Sequence, residues 1–458
     1  MNSSEKALKD NRQKEVLFIN DIGNKNSLRK SDRDVEFLEN VGISIIKPHQ
    51  EYSMKRPIEE QSDKNDKYIE TNKPRWISSL SENSFDLFPE FWYIENFKVR
   101  NIWDYSPMKK VTIAVIDSGI NTAHPQFNGK VKQGFNFITD STDTSDENGH
   151  GTAVSGVISS LIGSMPIEIL PLKAIFPNGE AYVSDIVRAI NYAIEQNVDV
   201  INLSLGADVP SIAEKQAITA ALEKGITIVA SAGNDGVERY SYPASYDGVL
   251  SVGSINEQHE VSIFSNYNDK IFLTAPGENI LTASNLGVGG YKIVNGTSFS
   301  AAYISGIMAM LKSLEPTLSL KEQKLKLMST AEDKGEVGWD VHYGNGIVMP
   351  YLASQQIRGK EWDSHTTSLA QKEWDIQFNL AINESSIINN GIEIISSTGE
   401  IVETQYSIST NKRTVKILPK EPLKGCEDYW LKIKGGVKSL SGQELSDPVT
   451  MKFHVEMK

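Results

Sequence analysis

Four short stretches set a reactive side chain beside glycine: Asp117-Ser-Gly119, Asn148-Gly-His-Gly-Thr152, Ala232-Gly-Asn234 and Asn295-Gly-Thr-Ser-Phe-Ser300. Together they hold what acyl transfer needs. A serine hydroxyl is a poor nucleophile until a neutral imidazole takes its proton, and a carboxylate must hold that imidazole in one tautomer. The oxyanion of the tetrahedral intermediate then needs hydrogen-bond donors. In this chain Asp117 supplies the acid, His150 the base, Ser298 the nucleophile and Asn234 a side-chain donor, with the Ser298 N–H as a second donor. Singly, each motif is ordinary: Asp-Ser-Gly is a turn former, and a histidine or serine at a helix start is a polar cap. Glycines on both sides of His150 point instead to crowding by a ligand or another stretch of chain. The competing histidine, His124, precedes Pro125 in a turn and takes a structural role.

The pattern around these residues says how they would be positioned. From about Phe85 to Gln356, apolar runs at 111–116, 169–175, 198–203, 226–230 and 249–252 alternate with helical patterns. Val183, Ile186, Val187, Ile190 and Ile194 fall at helical spacing behind Ser184 and Asp185, and 217–222 continue a second helix that stops at Gly225. Strands without polar alternation, joined by helices, predict an α/β domain with a doubly wound, mostly parallel sheet covered on both faces. Sites in such sheets lie at the carboxyl ends of the strands. Asp117 ends one run, and Asn234 follows another. Ser298 lies between an apolar run at 291–294 and an apolar helix at 301–311, where unpaired N–H groups and the helix dipole favour developing negative charge.

On either side the texture differs. Residues 1–85 are polar and lysine-rich, with apolar runs at 16–19 and 43–46 and a helix expected around 32–38, a small β-α-β element followed by a charged stretch at 51–73. This is either a folding or inhibitory extension or a flexible leader. Over 362–458, alternating runs such as Trp374/Ile376/Phe378, Val415/Ile417 and Tyr429/Leu431/Ile433, with turn formers between them at 389–391, 398–399 and 435–436, predict an antiparallel β-sandwich.

Composition narrows the function classes. At 458 residues, 39% hydrophobic and 23% charged, the chain suits a globular protein of two or three domains. A net charge of −13 argues against nucleic acid and anionic membranes as partners. The single cysteine, Cys426, excludes an internal disulfide and is expected as a buried structural thiol. No run approaches the ~18 apolar residues of a membrane span. No apolar core follows the basic residues near Met1, so no secretory signal is legible and the chain reads as cytoplasmic.

With these motifs in place, residues 86–356 resemble the subtilisin-like serine peptidases. Asp117-Ser-Gly, Gly149-His-Gly-Thr, Ala232-Gly-Asn and Gly296-Thr-Ser match that family's aspartate, histidine, oxyanion and serine motifs, in the subtilisin order. Val200-Ile-Asn-Leu-Ser-Leu-Gly206 is similar to its substrate-edge strand. The resemblance implies endopeptidase activity on peptide or protein substrates and no catalytic metal or other cofactor. It implies that substrate lies extended between two backbone edges, Ser204, Leu205 and Gly206 on one side and Gly179, Glu180 and Tyr182 on the other, beside a pocket walled by Ala232 and Gly233. Glu180 and Asp235 would favour basic side chains unless they are simply solvated surface acids.

Three departures stand out. Ala302 and Tyr303 replace the family's usual proline and histidine, and alanine suits a continuing helix. The link at 162–167 is brief where many members wrap a calcium ion, which puts that site in doubt and leaves a structural calcium an open question. The first 85 residues match only half of the family's usual propeptide. The C-terminal segment, with Trp374-Asp-Ile-Gln-Phe-Asn379, Ala381-Ile-Asn383, Tyr429-Trp-Leu-Lys-Ile433 and Gly442-Gln-Glu-Leu445, is similar to bacterial Ig-like modules of the surface-layer type. Such modules are commonly extracellular, which leaves the compartment open, as is the oligomeric state. A catalytically silent peptide-binding module is the alternative function. An α/β-hydrolase esterase fits poorly, because Ser298 lacks the Gly-x-Ser-x-Gly elbow.

Overall fold

The computed structural model describes residues 3–19, 35–46, 68–77, 80–83 and 91–456, apart from 104, 106, 108, 288, 337, 358–359, 368–369, 379, 389–390, 398–399, 434–436 and 441–448. The chain divides into two compact units, Met1–Val348 and Met349–Lys458.

In the first unit a seven-stranded parallel sheet runs in the order Ile271–Pro276, Leu250–Ile255, Thr227–Ser231, Val200–Leu203, Val111–Asp117, Ile167–Lys173 and Phe135–Asn136. Its strands are buried almost throughout, as β-branched runs without polar alternation require. Alternate residues on one face, among them Ala114, Ile116, Leu170, Leu172, Ile201, Leu203, Ile228 and Ala230, join a single core with helices Val183–Glu195 and Ile212–Glu223. Helices His150–Ile162 and Thr297–Leu314 pack on each other and on the sheet. The helix Thr297–Leu314 runs unbroken through Ala302. Tyr303 is fully buried there, its hydroxyl donating to the Tyr93 carbonyl at 3.1 Å.

The N-terminal extension is part of this unit and differs from the β-α-β expectation. Its segment Val35–Leu38 is a strand, not a helix. Together with Ile43–Ile46, Val16–Ile19 and Tyr68–Thr71 it builds a four-stranded antiparallel sheet. Four residues, ending at Gly42 with φ +64°, turn the chain between the first two strands, which is too tight for a crossover helix. Leu17, Leu38, Val41, Ile43 and Ile45 enter the same core as Ile186, Ile190 and Ala217, so the two helices lie between two sheets. A helix Ser3–Lys14, too polar to stand out in the sequence, precedes the sheet. Most of the charged stretch, 51–67, and the predicted turns at 389–390, 398–399 and 435–436 lie outside the described residues.

The second unit opens with a helix, Pro350–Ile357, followed by two sheets. The larger runs Lys360–Thr367, Val449–Val455, Glu427–Ile433, Ile392–Ser396 and Ile401–Val402; the smaller runs Trp374–Gln377, Thr414–Pro419 and Thr404–Ile408. Their inner faces share Trp374, Ile376, Val415, Ile417, Leu431 and Phe453. The pairs are antiparallel except the first of the larger sheet, where Lys360–Thr367 runs parallel to Val449–Val455. Cys426 is exposed, not buried as expected. It occupies a left-handed turn position, φ +59°, just before the strand Glu427–Ile433, so its side chain never enters the sandwich.

Candidate active site

Strand Val111–Asp117 ends with the Asp117 carboxylate 1% exposed, beside the first turn of helix His150–Ile162. His150 Nδ1 lies 2.8 Å from Asp117 Oδ1 and 3.1 Å from Oδ2. A carboxylate accepts only, so Nδ1 carries the proton and Nε2 is left as the nitrogen with a free lone pair. That Nε2 is buried and has no hydrogen-bond partner among the described residues. The glycines around His150 have a steric cause. Gly149 has φ +96°, and a Cβ on Gly151 would sit 2.2 Å from the Gly119 carbonyl oxygen and 3.2 Å from Asp117 Cβ. Without a side chain at 151, the histidine helix can butt directly against the turn that carries the acid.

A second aspartate, which the sequence reading passed over, secures this junction. Asp146 Oδ2 accepts from the Thr152 amide (2.8 Å) and hydroxyl (2.6 Å); its Oδ1 accepts from Gly149 N and Ser118 Oγ, each at 2.8 Å. Ser118 Oγ in turn accepts from Gly151 N at 2.9 Å. Burial alone would raise this carboxyl, but the bonds from Thr152, Gly149 and Ser118 outweigh it and hold Asp146 below the ordinary carboxylate value. The available signal was its spacing: an aspartate shortly before a helix whose first N–H groups need acceptors.

Ser298 is the second residue of helix Thr297–Leu314, behind Gly296 at φ +151°. Its hydroxyl donates to the Ser204 carbonyl at 3.2 Å rather than to His150, and Ser204 Oγ donates back to the Ser298 carbonyl at 2.8 Å. Asn202 Nδ2 donates to Ser204 Oγ at 2.9 Å, and its Oδ1 accepts from Ser305 Oγ, so strand Val200–Leu203 and helix Thr297–Leu314 are tied together. The His150 ring packs 5.9 Å from the ring of Phe299, the residue after the serine. Asn234 Oδ1 accepts from the Thr297 amide (2.9 Å) and hydroxyl (2.8 Å). Because an amide N–H must donate to oxygen, this fixes which end of the carbamoyl group is which and turns its NH₂ the other way. His124 is structural: Nδ1 accepts from Gln126 N, and Nε2 lies 2.8 Å from the Gly290 carbonyl.

Between the two segments expected to flank a substrate lies a further strand. Pro74–Ile77, from the N-terminal extension, pairs antiparallel with Glu180–Tyr182 on one side and with Leu205–Gly206 on the other. Ile77 N donates to the Gly179 carbonyl at 3.2 Å. Beyond residues 78–79 the chain pairs again, Leu80 opposite Asn295, three residues before Ser298. Ala232 is buried, and a Cβ on Gly233 would meet the Asn266 side chain at 2.3 Å, which explains that glycine. The two acids considered for basic side chains have other partners. Glu180 pairs with Lys9 of the N-terminal helix, and Asp235 pairs with Arg239 (3.2 Å) on the surface.

The Subtilase family matches residues 108–346, and the Bacterial Ig-like domain matches 363–455. The Major intracellular serine protease of Bacillus subtilis is 40% identical over 226 residues, covering 45% of this chain and 70% of that protein. Subtilisin DY of Bacillus licheniformis is 33% identical over 258 residues, covering 54% of this chain and 91% of its own length. A solved structure described as a lanthipeptide protease superposes with TM-score 0.54 at 27% identity, over 58% of this chain and 94% of that one. The chain therefore belongs to the subtilase family of serine proteases and carries a bacterial Ig-like domain behind its protease domain.

Proposed function

We propose that Ser298, His150, Asp117 and Asn234 are the working groups of an endopeptidase that cuts peptide chains through an acyl-enzyme. The observation that carries this is the buried His150, its Nδ1 bonded to Asp117 at 2.8 Å and its Nε2 unsatisfied beside the serine turn. In the reaction the Ser298 hydroxyl turns from the Ser204 carbonyl, gives its proton to His150 Nε2, and its oxygen bonds to the substrate carbonyl carbon. Asp117 stabilises the imidazolium. The oxyanion takes hydrogen bonds from Asn234 Nδ2 and Ser298 N–H. His150 then protonates the leaving amine as the C–N bond breaks. A water molecule, deprotonated by the same nitrogen, releases the acid.

The strand Pro74–Ile77 supports a second element of this reading: the chain before the cut is a leader whose segment Pro74–Ile77 lies in the cleft as a substrate would. Its main chain is bonded on both edges, and the bond to be cut lies between Ile77 and Leu80. The reading needs no structural calcium. The short connection Gly163-Ser164-Met165-Pro166 carries no carboxylate, and Ca²⁺ requires about six to eight oxygen ligands.

Substituting Ser298→Ala tests this directly. Fluorophosphonate labelling and loss of the leader should both cease while the fold is kept. Labelling that persists in the variant would remove Ser298 from its role. Asn234→Ala should reduce kcat by about 10²–10³, the loss seen when subtilisin, of the same family, is stripped of this donor.

A further inference from the structure

The leader strand brings one charged side chain to the floor of the cleft. Arg75 is completely buried, as is the carboxylate it meets, Glu214 on helix Ile212–Glu223. Arg75 Nε donates to Glu214 Oε1 at 3.0 Å and Nη2 to Oε2 at 2.8 Å, a two-pronged match of planar guanidinium to planar carboxylate. The Tyr246 hydroxyl lies 3.1 Å from the same Oε2 and receives the Ser211 N–H at 2.7 Å, which fixes that wall. Side chains alternate along an extended peptide, and here Arg75 points in while Trp76 is 47% exposed.

We propose that Glu214 and Tyr246 form a guanidinium-binding subsite, through which this protease selects substrates with arginine two residues before the one occupying the Ile77 position. The inference rests on the leader being held as a substrate is held. The walls of the pocket belong to the protease domain and stay behind when the leader leaves. The emptied pocket then lacks the cation that its carboxylate was paired with, and an incoming guanidinium can restore the pair. Arginine suits it better than lysine: a single ammonium cannot engage both carboxylate oxygens in the same fork, and the guanidinium is the more weakly hydrated. The preference is set by Glu214, whose carboxylate lies at the pocket floor; Asp235 pairs with Arg239 on the surface, and Glu180, which gives up Lys9 with the leader, is part-exposed.

The test uses the full chain, incubated so that it can process itself. Fluorophosphonate labelling of Ser298 is measured first. Peptides with the sequence of residues 70–83 are then offered, carrying arginine, lysine, citrulline or alanine at the position of Arg75. The arginine peptide should exceed the alanine peptide by about 10²-fold or more in kcat/KM, with citrulline close to alanine, because shape without charge leaves Glu214 unpaired. The same peptides should protect Ser298 from the fluorophosphonate in the same order, a readout that does not depend on turnover. In the Glu214→Gln chain the arginine-to-alanine ratio should collapse to a few-fold. If that variant does not fold, the peptide series on the parent chain decides alone. Arginine and alanine peptides equal within about threefold, in both cleavage and protection, would overturn the subsite. A parent chain that takes up no fluorophosphonate would instead overturn the nucleophile assignment, and it is recognised before any peptide is added.

Discussion

The leader grips the protease domain in two places by different physics. Its sheet lays Leu17, Leu38, Val41, Ile43 and Ile45 on the outer faces of helices Val183–Glu195 and Ile212–Glu223. Such contact grows with apolar area and is indifferent to direction; each fully buried aliphatic side chain contributes roughly 1.5–3 kcal/mol. The strand Pro74–Ile77 instead binds through main-chain pairs on two edges and one enclosed ion pair. The sheet's apolar contact accepts almost any sequence of matching shape, with Arg12, Glu15 and Glu36 pairing beside it, whereas the strand presents one particular residue to an enclosed carboxylate. One region serves affinity and the other selection, and selection is what a protease would apply to its other substrates.

This contrast can be broken in stability measurements on the Ser298→Ala chain, where the leader should stay attached. The largest effect expected is from Arg75→Ala, which leaves Glu214 buried without its cation and should cost about 3–5 kcal/mol in denaturant unfolding. A loss below about 1 kcal/mol would mean that main-chain bonds alone hold the strand, and the distinction between the two regions would fail. Leu17→Ala should cost about 2–3 kcal/mol by removing apolar contact, without touching the strand. Hydrogen exchange at Ile77 N, which donates to Gly179, should accelerate in the Arg75 variant far more than in the Leu17 variant. Equal acceleration in both would show that the leader opens as one body.

Between the two regions lie smaller contacts of a third kind, which cap helices from a distance in sequence. Glu70 accepts from Ile212 N (2.8 Å), and Asn72 Oδ1 accepts from Ser184 N (2.9 Å), so the leader supplies caps to both helices that it covers. Glu70→Ala and Asn72→Ala should each cost about 1 kcal/mol, the usual worth of an N-cap, read in the same unfolding experiment. The helix Val183–Glu195 has no side-chain cap from its own N-cap residue, Tyr182, which makes the Asn72 contact the informative one.

How far the sequence foretold this arrangement depends on where each residue's partners lie. The places of Asp117, His150, Asn234 and Ser298 at element ends were legible because each has glycine within two residues, and glycine there reports close backbone approach. The parallel sheet was legible from unbroken apolar runs. The strand Val35–Leu38 was misread because four residues cannot distinguish helical from alternating spacing. Glu214 was hidden for a different reason. Ser211-Ile-Ala-Glu214 has the spacing of a capping box, in which the glutamate would fold back on the Ser211 N–H. Only the serine half forms: Glu214 N donates to Ser211 Oγ, while Ser211 N goes to Tyr246 and the carboxylate goes to Arg75. A partner 139 positions away leaves no local trace.

The smallest effect expected concerns the charged rim of the leader sheet, where Asp185 is fully buried among Arg12, Arg188, Glu15 and Glu36. Burial pushes its carboxyl up to about 6, against the pull of Arg12 and Arg188, with Glu15 adding to the rise. The folded chain therefore binds this proton more tightly than the unfolded chain, whose aspartate has the ordinary value of about 3.9. The contribution is fully present below that value and is lost as pH rises through about 6, the reverse of a salt-bridged surface acid. Against an Asp185→Asn chain, which cannot titrate there, the parent should gain about 1 kcal/mol in relative unfolding free energy between about pH 7.5 and pH 5. A difference that stays flat, or that favours the parent as pH rises, would mean that Arg12 and Arg188 keep Asp185 ionised throughout. An ionised Asp185 would then add to the pairs that Arg188 makes with Glu15 and Glu36, and the contrast with the strand would narrow to the single residue that the strand presents to Glu214.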